Sequence, residues 1–141
     1  GYFAAPSALV KAVNAFQSHS TSGPNTFAQF GAVAAVAGPQ DCVREMVKAF
    51  AERQAYIHKR MTAIPGVSCV KPLGAFYVLP NISRFGLGSL QFAERLLETE
   101  GVAVVPGLPF GSDRHVRLSY ACSMDNIRQG MDRFERFVKS L

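Results

Sequence analysis

Arg117 is the residue of this sequence best suited to bind an anion. It lies in His-Val-Arg-Leu-Ser-Tyr at 115–120, where branched and aromatic residues predict a β-strand. An arginine in such a strand either extends its charged end to solvent at a sheet edge or binds an anion. Its planar guanidinium can hold a carboxylate through two parallel hydrogen bonds. The pattern by itself favours the first alternative, in which Arg117 extends to solvent and binds no ligand.

The segment before this strand, Pro-Gly-Leu-Pro-Phe-Gly at 106–111, could also belong to a site. Its glycines allow sharp turns and a close approach of backbone to a ligand. A plain connection between two strands explains the composition as well, and the pattern favours that simpler interpretation.

Hydroxyl and imidazole groups elsewhere give little support for catalysis. Residues 18–25 are polar and contain His19 beside two serines, but sequence neighbours rarely form a catalytic triad and no orienting carboxylate is evident. We expect this segment to be a loop. His58 is expected on the surface of a charged helix, and His115 has no partner at metal-ligand spacing.

The lysines and cysteines also give little support for catalysis or metal binding. None of the lysines lies in an apolar or serine-flanked loop that would activate an amine; they are Lys11, Lys48, Lys59, Lys71 and Lys139. The cysteines form no Cys-x-x-Cys pair and are interpreted as small, partly buried apolar side chains rather than redox or metal ligands; they are Cys42, Cys69 and Cys122.

Composition excludes several classes of protein. The 141 residues carry a net charge of +5, but acidic and basic residues alternate along the last helix, which is typical of a solvated face rather than a nucleic-acid surface. No apolar run approaches the roughly 20 residues of a membrane helix. The sequence has no signal peptide and begins without Met, so we expect it to be part of a longer protein.

The elements expected around Arg117 form an α+β fold in which helices pack on one face of a small sheet. Apolar periodicity predicts helices at 6–17, 26–37, 38–63, 89–100 and 123–141, with Asn25 or Thr26 and then Ser89 and Ser123 as N-caps. Alternation and β-branched residues predict strands at 67–70, 75–79, 102–105 and 115–120.

Over its whole length the sequence resembles the C-terminal segment of class I aminotransferases that depend on pyridoxal phosphate (PLP), of the bacterial aspartate aminotransferase type. The matching motifs occur in the family's order: Gly-Tyr at 1–2, His-Ser-Thr-Ser at 19–22, Ile-Pro-Gly-Val at 64–67, Gly-Ala-Phe-Tyr-Val at 74–78, Ala-Glu-Arg-Leu-Leu at 93–97, Gly-Val-Ala-Val-Val-Pro-Gly at 101–107 and Val-Arg-Leu-Ser-Tyr-Ala at 116–121.

The resemblance implies a role for Arg117. In the family, the arginine of the Arg-Leu-Ser strand binds the α-carboxylate of the amino-acid substrate, which orients the Cα–H bond toward the PLP ring. The family's Schiff-base lysine, its phosphate-binding arginine and its ring-binding residues precede the region that these residues match. The resemblance therefore implies no catalytic and no cofactor-binding residue in this chain, and PLP only in a full-length enzyme.

The resemblance also implies an organisation. Residues 1–38 would be interdomain and interface helices with a loop, and residues 39–141 the C-terminal small domain of a fold type I PLP enzyme. The full enzyme would be a cytoplasmic homo-oligomer that transfers an amino group between an amino acid and a 2-oxo acid, aspartate being one candidate, although the arginine that some members carry in the segment matching 18–22 is missing. The alternative is a non-catalytic module that binds a carboxylate or a partner.

Overall fold

The computed structural model describes residues 2–141, and the α+β prediction is confirmed. Its α-helices are α1 (Ser7–Ser20), α2 (Thr26–Ala37), α3 (Asp41–Thr62), α4 (Ser89–Glu100) and α5 (Met124–Lys139). Its strands are β1 (Tyr77–Val78), β2 (Val105–Pro106) and β3 (Val116–Ser119), with short 3-10 helices at Ser83–Phe85 and Leu108–Phe110. The chain forms two compact units, one ending at Cys42 and the other comprising Val43–Leu141.

The first unit contains α1 and α2, and neither helix buries a residue. The predicted loop at 18–25 is wrong at its start because α1 continues to Ser20, so that His19 lies in the last helical turn. Of the two N-caps that remained open for α2, the structure has Asn25, whose side chain accepts a hydrogen bond from the Ala28 amide at 3.1 Å. A side-chain acceptor there satisfies one of the amides that a helix start leaves unpaired.

The second unit is built on an antiparallel sheet with strand order β1-β3-β2. The strand that carries Arg117 is therefore central, with Tyr77 opposite Ser119 and Val105 opposite Arg117. The strands are shorter than predicted: 67–70 contributes only one bridge, from Ser68 to Asn81, and 102–105 is regular only from Val105 onward. Pro106 in β2 is compatible with an edge strand, where a missing amide costs no ladder hydrogen bond.

One face of the sheet forms the core with α3, α4 and α5. Successive side chains of a strand point to opposite faces, and β3 follows this rule with Val116 and Leu118 buried while Arg117 and Ser119 are not. The buried residues of α5 are Ile127, Met131, Phe134, Phe137 and Val138. The aromatic centre is Phe92, whose ring lies 5.7 Å from that of Phe134 and 5.1 Å from that of Phe137.

Two predictions about single residues are wrong. Ser89 is the first residue of α4 rather than its cap, since Gly88 is the capping residue and the Ser89 amide donates to the carboxylate of Asp113 at 2.8 Å. His58 is partly buried rather than on the surface, and its Nε2 lies 3.1 Å from the carbonyl oxygen of Cys69. In both cases the partner is distant in sequence, so local pattern did not reveal it.

The charged residues of α5 largely pair with neighbours instead of forming a basic patch. Arg136 reaches Glu100 at 2.6 Å, Lys139 reaches Glu135 at 2.8 Å, and Arg128 reaches Asp125 at 3.0 Å. Within residues 2–141 no helix combines the length and the apolar character that crossing a bilayer would require.

Candidate functional site

Arg117 lies on the sheet face that is turned away from the core, next to two aromatic rings. Its guanidinium carbon is 4.5 Å from the ring centroid of Tyr77 and 4.4 Å from that of Phe110. Tyr77 is opposite Ser119 on the neighbouring strand, so it is diagonal to Arg117 and within reach of a long side chain. Contacts of a cation with ring faces at this distance are attractive.

The Arg117 guanidinium has no acidic partner among residues 2–141: it forms neither an ion pair nor a side-chain hydrogen bond with any of them. The side chain is half-buried. Its guanidinium carbon contacts two aromatic rings while its five N–H donors stay available. A half-buried cation with unused donors in a fixed planar array is the arrangement that recognises a carboxylate.

The turn that carries Phe110 is held by its own backbone. The Gly107 amide donates to the His115 carbonyl at 2.9 Å, and the amides of Phe110 and Ser112 donate to the Gly107 carbonyl at 2.8 and 3.2 Å. A Cβ on Gly107 would collide with the carbonyl oxygens of Ser112 and His115, so only glycine fits there. The glycine thus permits close approach of the chain to itself, which agrees with the simpler interpretation of this segment as a strand connection.

A buried serine joins this turn to the start of α4. The Ser89 side chain is fully buried; its hydroxyl donates to Asp113 Oδ1 at 2.7 Å and accepts from the Leu108 amide at 3.2 Å. Hydrogen bonds from the hydroxyl and then the amide of Ser89 hold the pKa of Asp113 below its usual range. The carboxylate at a helix N-terminus also interacts favourably with the helix dipole.

The remaining groups do not converge on Arg117. The hydroxyl of Ser112 lies 2.7 Å from Nδ1 of His115, which is a contact within the turn. Burial raises the pKa of the Cys69 thiol, and Cys122 is also half-buried. Cys42 is exposed, so the expectation of partial burial is wrong for that cysteine. In the described part of the chain no cluster of three or more His, Cys, Asp or Glu residues could hold a metal ion.

A groove of about 510 Å³ lies away from these groups, between the first half of α3 and the 71–75 turn. Its walls are mainly apolar and include Val43, Met46 and Val47 of α3, which remain about half exposed. The groove contains no pair of groups arranged for acid–base or nucleophilic chemistry. Arg117 and its aromatic neighbours are therefore the better candidate site.

Sequence reasoning found Arg117 and missed what surrounds it. Tyr77 was noted only as a strand residue, Phe110 only as a loop residue and Asp113 not at all. A usable signal for Tyr77 is the predicted strand at 75–79, since a strand that pairs with the strand of Arg117 places its outward residues beside it. Asp113 gives no comparable signal because its partner Ser89 is 24 residues away.

Comparisons with known proteins identify the family of this chain. The family model for aminotransferase class I and II matches residues 1–134, and this chain belongs to that family. The aspartate aminotransferase of Bacillus subtilis is 45% identical over 144 residues, which cover 99% of this chain and 37% of that protein. The chain thus spans little more than a third of the length of the curated relatives it matches.

Two solved structures show the same fold. The aromatic aminotransferase of Pyrococcus horikoshii superimposes with a TM-score of 0.88 and 38% identity, covering 97% of this chain and 37% of that one. The aspartate aminotransferase of Thermotoga maritima gives a TM-score of 0.82 and 36% identity, covering 96% of this chain and 34% of that one. The resemblance drawn from sequence motifs is confirmed.

Proposed function

We propose that this chain supplies the substrate-carboxylate site of an aminotransferase, with Arg117 as the binding residue. The observation that carries the proposal is the half-buried guanidinium on the outer sheet face, which no acid in residues 2–141 neutralises. A bidentate pair with the α-carboxylate of an amino acid would neutralise that charge and fix the orientation of the Cα substituents. A lysine could not supply the same two parallel contacts.

The reaction proposed for the full-length protein is amino-group transfer between an amino acid and a 2-oxo acid. Relatives named for aspartate and for aromatic substrates are similarly related to this chain, so aspartate is one candidate donor among several. Both substrates carry a carboxylate next to the reacting carbon. One arginine at a fixed position would therefore serve both halves of the reaction.

The family implies PLP, and the residues of this chain do not fit its attachment. An imine-forming lysine needs a site shielded from water or a neighbouring base. The lysines here are all exposed, on helices or in the turn at residue 71: Lys11, Lys48, Lys59, Lys71 and Lys139. We therefore assign this chain no step on the cofactor, and we expect the attachment lysine in another part of the full-length protein.

We further propose that residues 39–141 form the C-terminal small domain and that residues 1–38 belong to an interface. Helices α1 and α2 leave large apolar side chains exposed, among them Phe16, Phe27, Phe30 and Val36 at 74–86% of their surface. Exposed apolar patches of this kind mark contacts with other protein surfaces. We expect a cytoplasmic homo-oligomer in which these helices are covered.

A second candidate, a non-catalytic module that binds a carboxylate or a partner, follows from the same exposed lysines. Expression of the 141-residue chain and of the full-length gene product separates the two. We expect the full-length protein to transfer amino groups, and the 141-residue chain neither to do so nor to acquire a stoichiometric PLP adduct at one lysine after borohydride reduction. Such an adduct on the chain alone, or a full-length protein without transferase activity, would overturn the proposal.

A further inference from the structure

Aromatic rings, not acids, contact the Arg117 guanidinium among the described residues. Tyr77 and Phe110 contact the guanidinium carbon from different segments of the chain, one on β1 and one in the turn after β2. An acid at either position would compete with a substrate carboxylate for the same N–H donors. Rings fix the arginine and leave those donors free.

The two rings are held to different degrees. Tyr77 belongs to a strand that is paired with β3, so its backbone is fixed by the sheet. Phe110 is 52% exposed and lies in a 3-10 turn that ends at Gly111 in a left-handed conformation, φ 87°. The Phe110 ring therefore depends on whatever fixes that turn.

Asp113 and Ser89 add to the backbone hydrogen bonds that hold this turn. The Asp113 carboxylate accepts from both the amide and the hydroxyl of Ser89, and the Ser89 oxygen in turn accepts from the amide of Leu108, the first residue of the 3-10 turn. Ser89 is fully buried, so it has little freedom to choose other partners. The connection runs from the start of α4 to the turn that carries Phe110.

We propose that Tyr77 and Phe110 are positioning residues for the carboxylate-binding Arg117, and that Asp113 positions Phe110 through Ser89 and Leu108. This inference rests on the function proposed for Arg117. It predicts that all three residues control the binding of the carboxylate end of any substrate, whatever its side chain, although none of them carries the charge that binds it.

The first test uses ring variants of the full-length enzyme and the binding of propionate as a simple carboxylate probe. Tyr77→Leu and Phe110→Leu should each raise the propionate dissociation constant by about 5- to 30-fold, the loss expected for one cation–ring contact. Amino-acid substrates with different side chains should show the same factor in KM, with kcat changed less than about 3-fold, since the contact exists before and during the reaction.

Conservative and matched variants separate positioning from general damage. Tyr77→Phe and Phe110→Tyr keep a ring at each position and should bind propionate like the wild type. Tyr56→Leu removes a ring that contacts Arg60 and Arg128 instead, and should leave propionate binding unchanged. If the ring-keeping variants bind as poorly as the leucine variants, or if the leucine variants bind propionate normally, the role of the rings is refuted.

The second test concerns Asp113. Asp113→Ala should weaken propionate binding by about 3- to 10-fold, which is the range for losing part of one such contact. Asp113→Asn keeps the accepting Oδ1 and should retain most of the wild-type affinity for propionate. In a Phe110→Leu background, Asp113→Ala should add almost nothing, because its effect passes through the missing ring. Ser123→Ala, which removes the hydroxyl cap of α5, is the matched control for loss of a helix cap and should not affect propionate.

The outcomes also separate this inference from the function on which it rests. If Arg117→Lys leaves propionate binding unchanged, the proposed function fails. If Arg117→Lys weakens binding but the ring variants do not, only the positioning role fails. Full additivity of Asp113→Ala and Phe110→Leu, with both variants folded by circular dichroism, would show that Asp113 acts by another route.

Discussion

Arg117 and Arg60 are two arginines beside aromatic rings in the same unit, and they differ in their partners. Arg60 Nη2 lies 2.7 Å from Asp132 and 3.3 Å from Glu135, while its guanidinium carbon is 5.8 Å from the Tyr56 ring. The hydrogen bond to Asp132 raises the pKa of Arg60 further above its ordinary value. Arg117 lies closer to its rings and has no acid among the described residues.

This difference in charge partners suggests different roles for the two arginines. Arg60 joins α3 to α5, so its charge is used within the fold. Arg117 lies on the central strand and has no acid partner among the described residues, which supports the carboxylate-binding role proposed for it. A ring beside an arginine is therefore compatible with both roles.

The largest expected effect that tests this comparison is on catalysis. In the full-length enzyme, Arg117→Lys should cost about 2–4 kcal/mol in kcat/KM, because one bidentate charge-assisted contact is lost. Cofactor binding should survive. Arg114→Lys, the same exchange at an exposed position three residues earlier, should retain wild-type kinetics. Steady-state rates with several amino acids measure this, and equal losses in both variants would contradict the assignment.

A smaller effect is expected on stability at Arg60. Arg60→Gln removes contacts to two carboxylates, but the arginine side chain is 26% exposed and Asp132 is 64% exposed, so solvent screens the pair. We expect the α3 and α5 amides to lose about 1 kcal/mol or less of protection in native-state hydrogen exchange. Propionate binding should not change. A carboxylate-binding defect in Arg60→Gln would remove the distinction between the two arginines.

The smallest expected effect is on the stability of the fold at acidic pH. The hydrogen bond from Lys139, followed by Arg60, lowers the pKa of Glu135, and the hydrogen bonds from Arg136 lower that of Glu100. These pairs stabilise the fold above the ordinary glutamate pKa of 4.5, and their contribution is lost as the pH falls through the lower folded-state values. The unfolding temperature should therefore fall less between pH 6 and pH 3 in Arg136→Gln than in Arg128→Gln, because the ion pair of Arg128 is more exposed.

The sequence predicted the helices better than the sheet. Apolar periodicity is local, so the predicted bounds of α2 agree with the structure and those of α5 differ by at most two residues. The strands were overestimated because β-propensity reports side-chain packing, whereas the ladder depends on partners far along the chain. β1 is two residues long, since Ala75 has φ 57° just before it and Pro80 follows it.

The candidate site was predictable only in its central residue. Arg117 could be found because a charged residue interrupts an otherwise apolar strand. Phe110 and Asp113 could not, since their importance comes from contacts to β3 and α4 that no local spacing encodes. In the first half of α3, by contrast, local spacing suggests burial that this chain does not provide. Its apolar stripe extends to Val43, yet Val47 is 61% exposed within this chain.

The most direct test of the central claim compares an amino acid with an amine that lacks the carboxylate but is otherwise identical. In the full-length enzyme, wild type and Arg117→Lys are mixed with each compound, and the rate of amino transfer is followed at limiting concentration. If Arg117 binds the α-carboxylate, the substitution should lower the rate with the amino acid by about 30- to 1,000-fold and leave the rate with the amine nearly unchanged. An equal loss with both compounds would show that Arg117 acts on something other than the carboxylate.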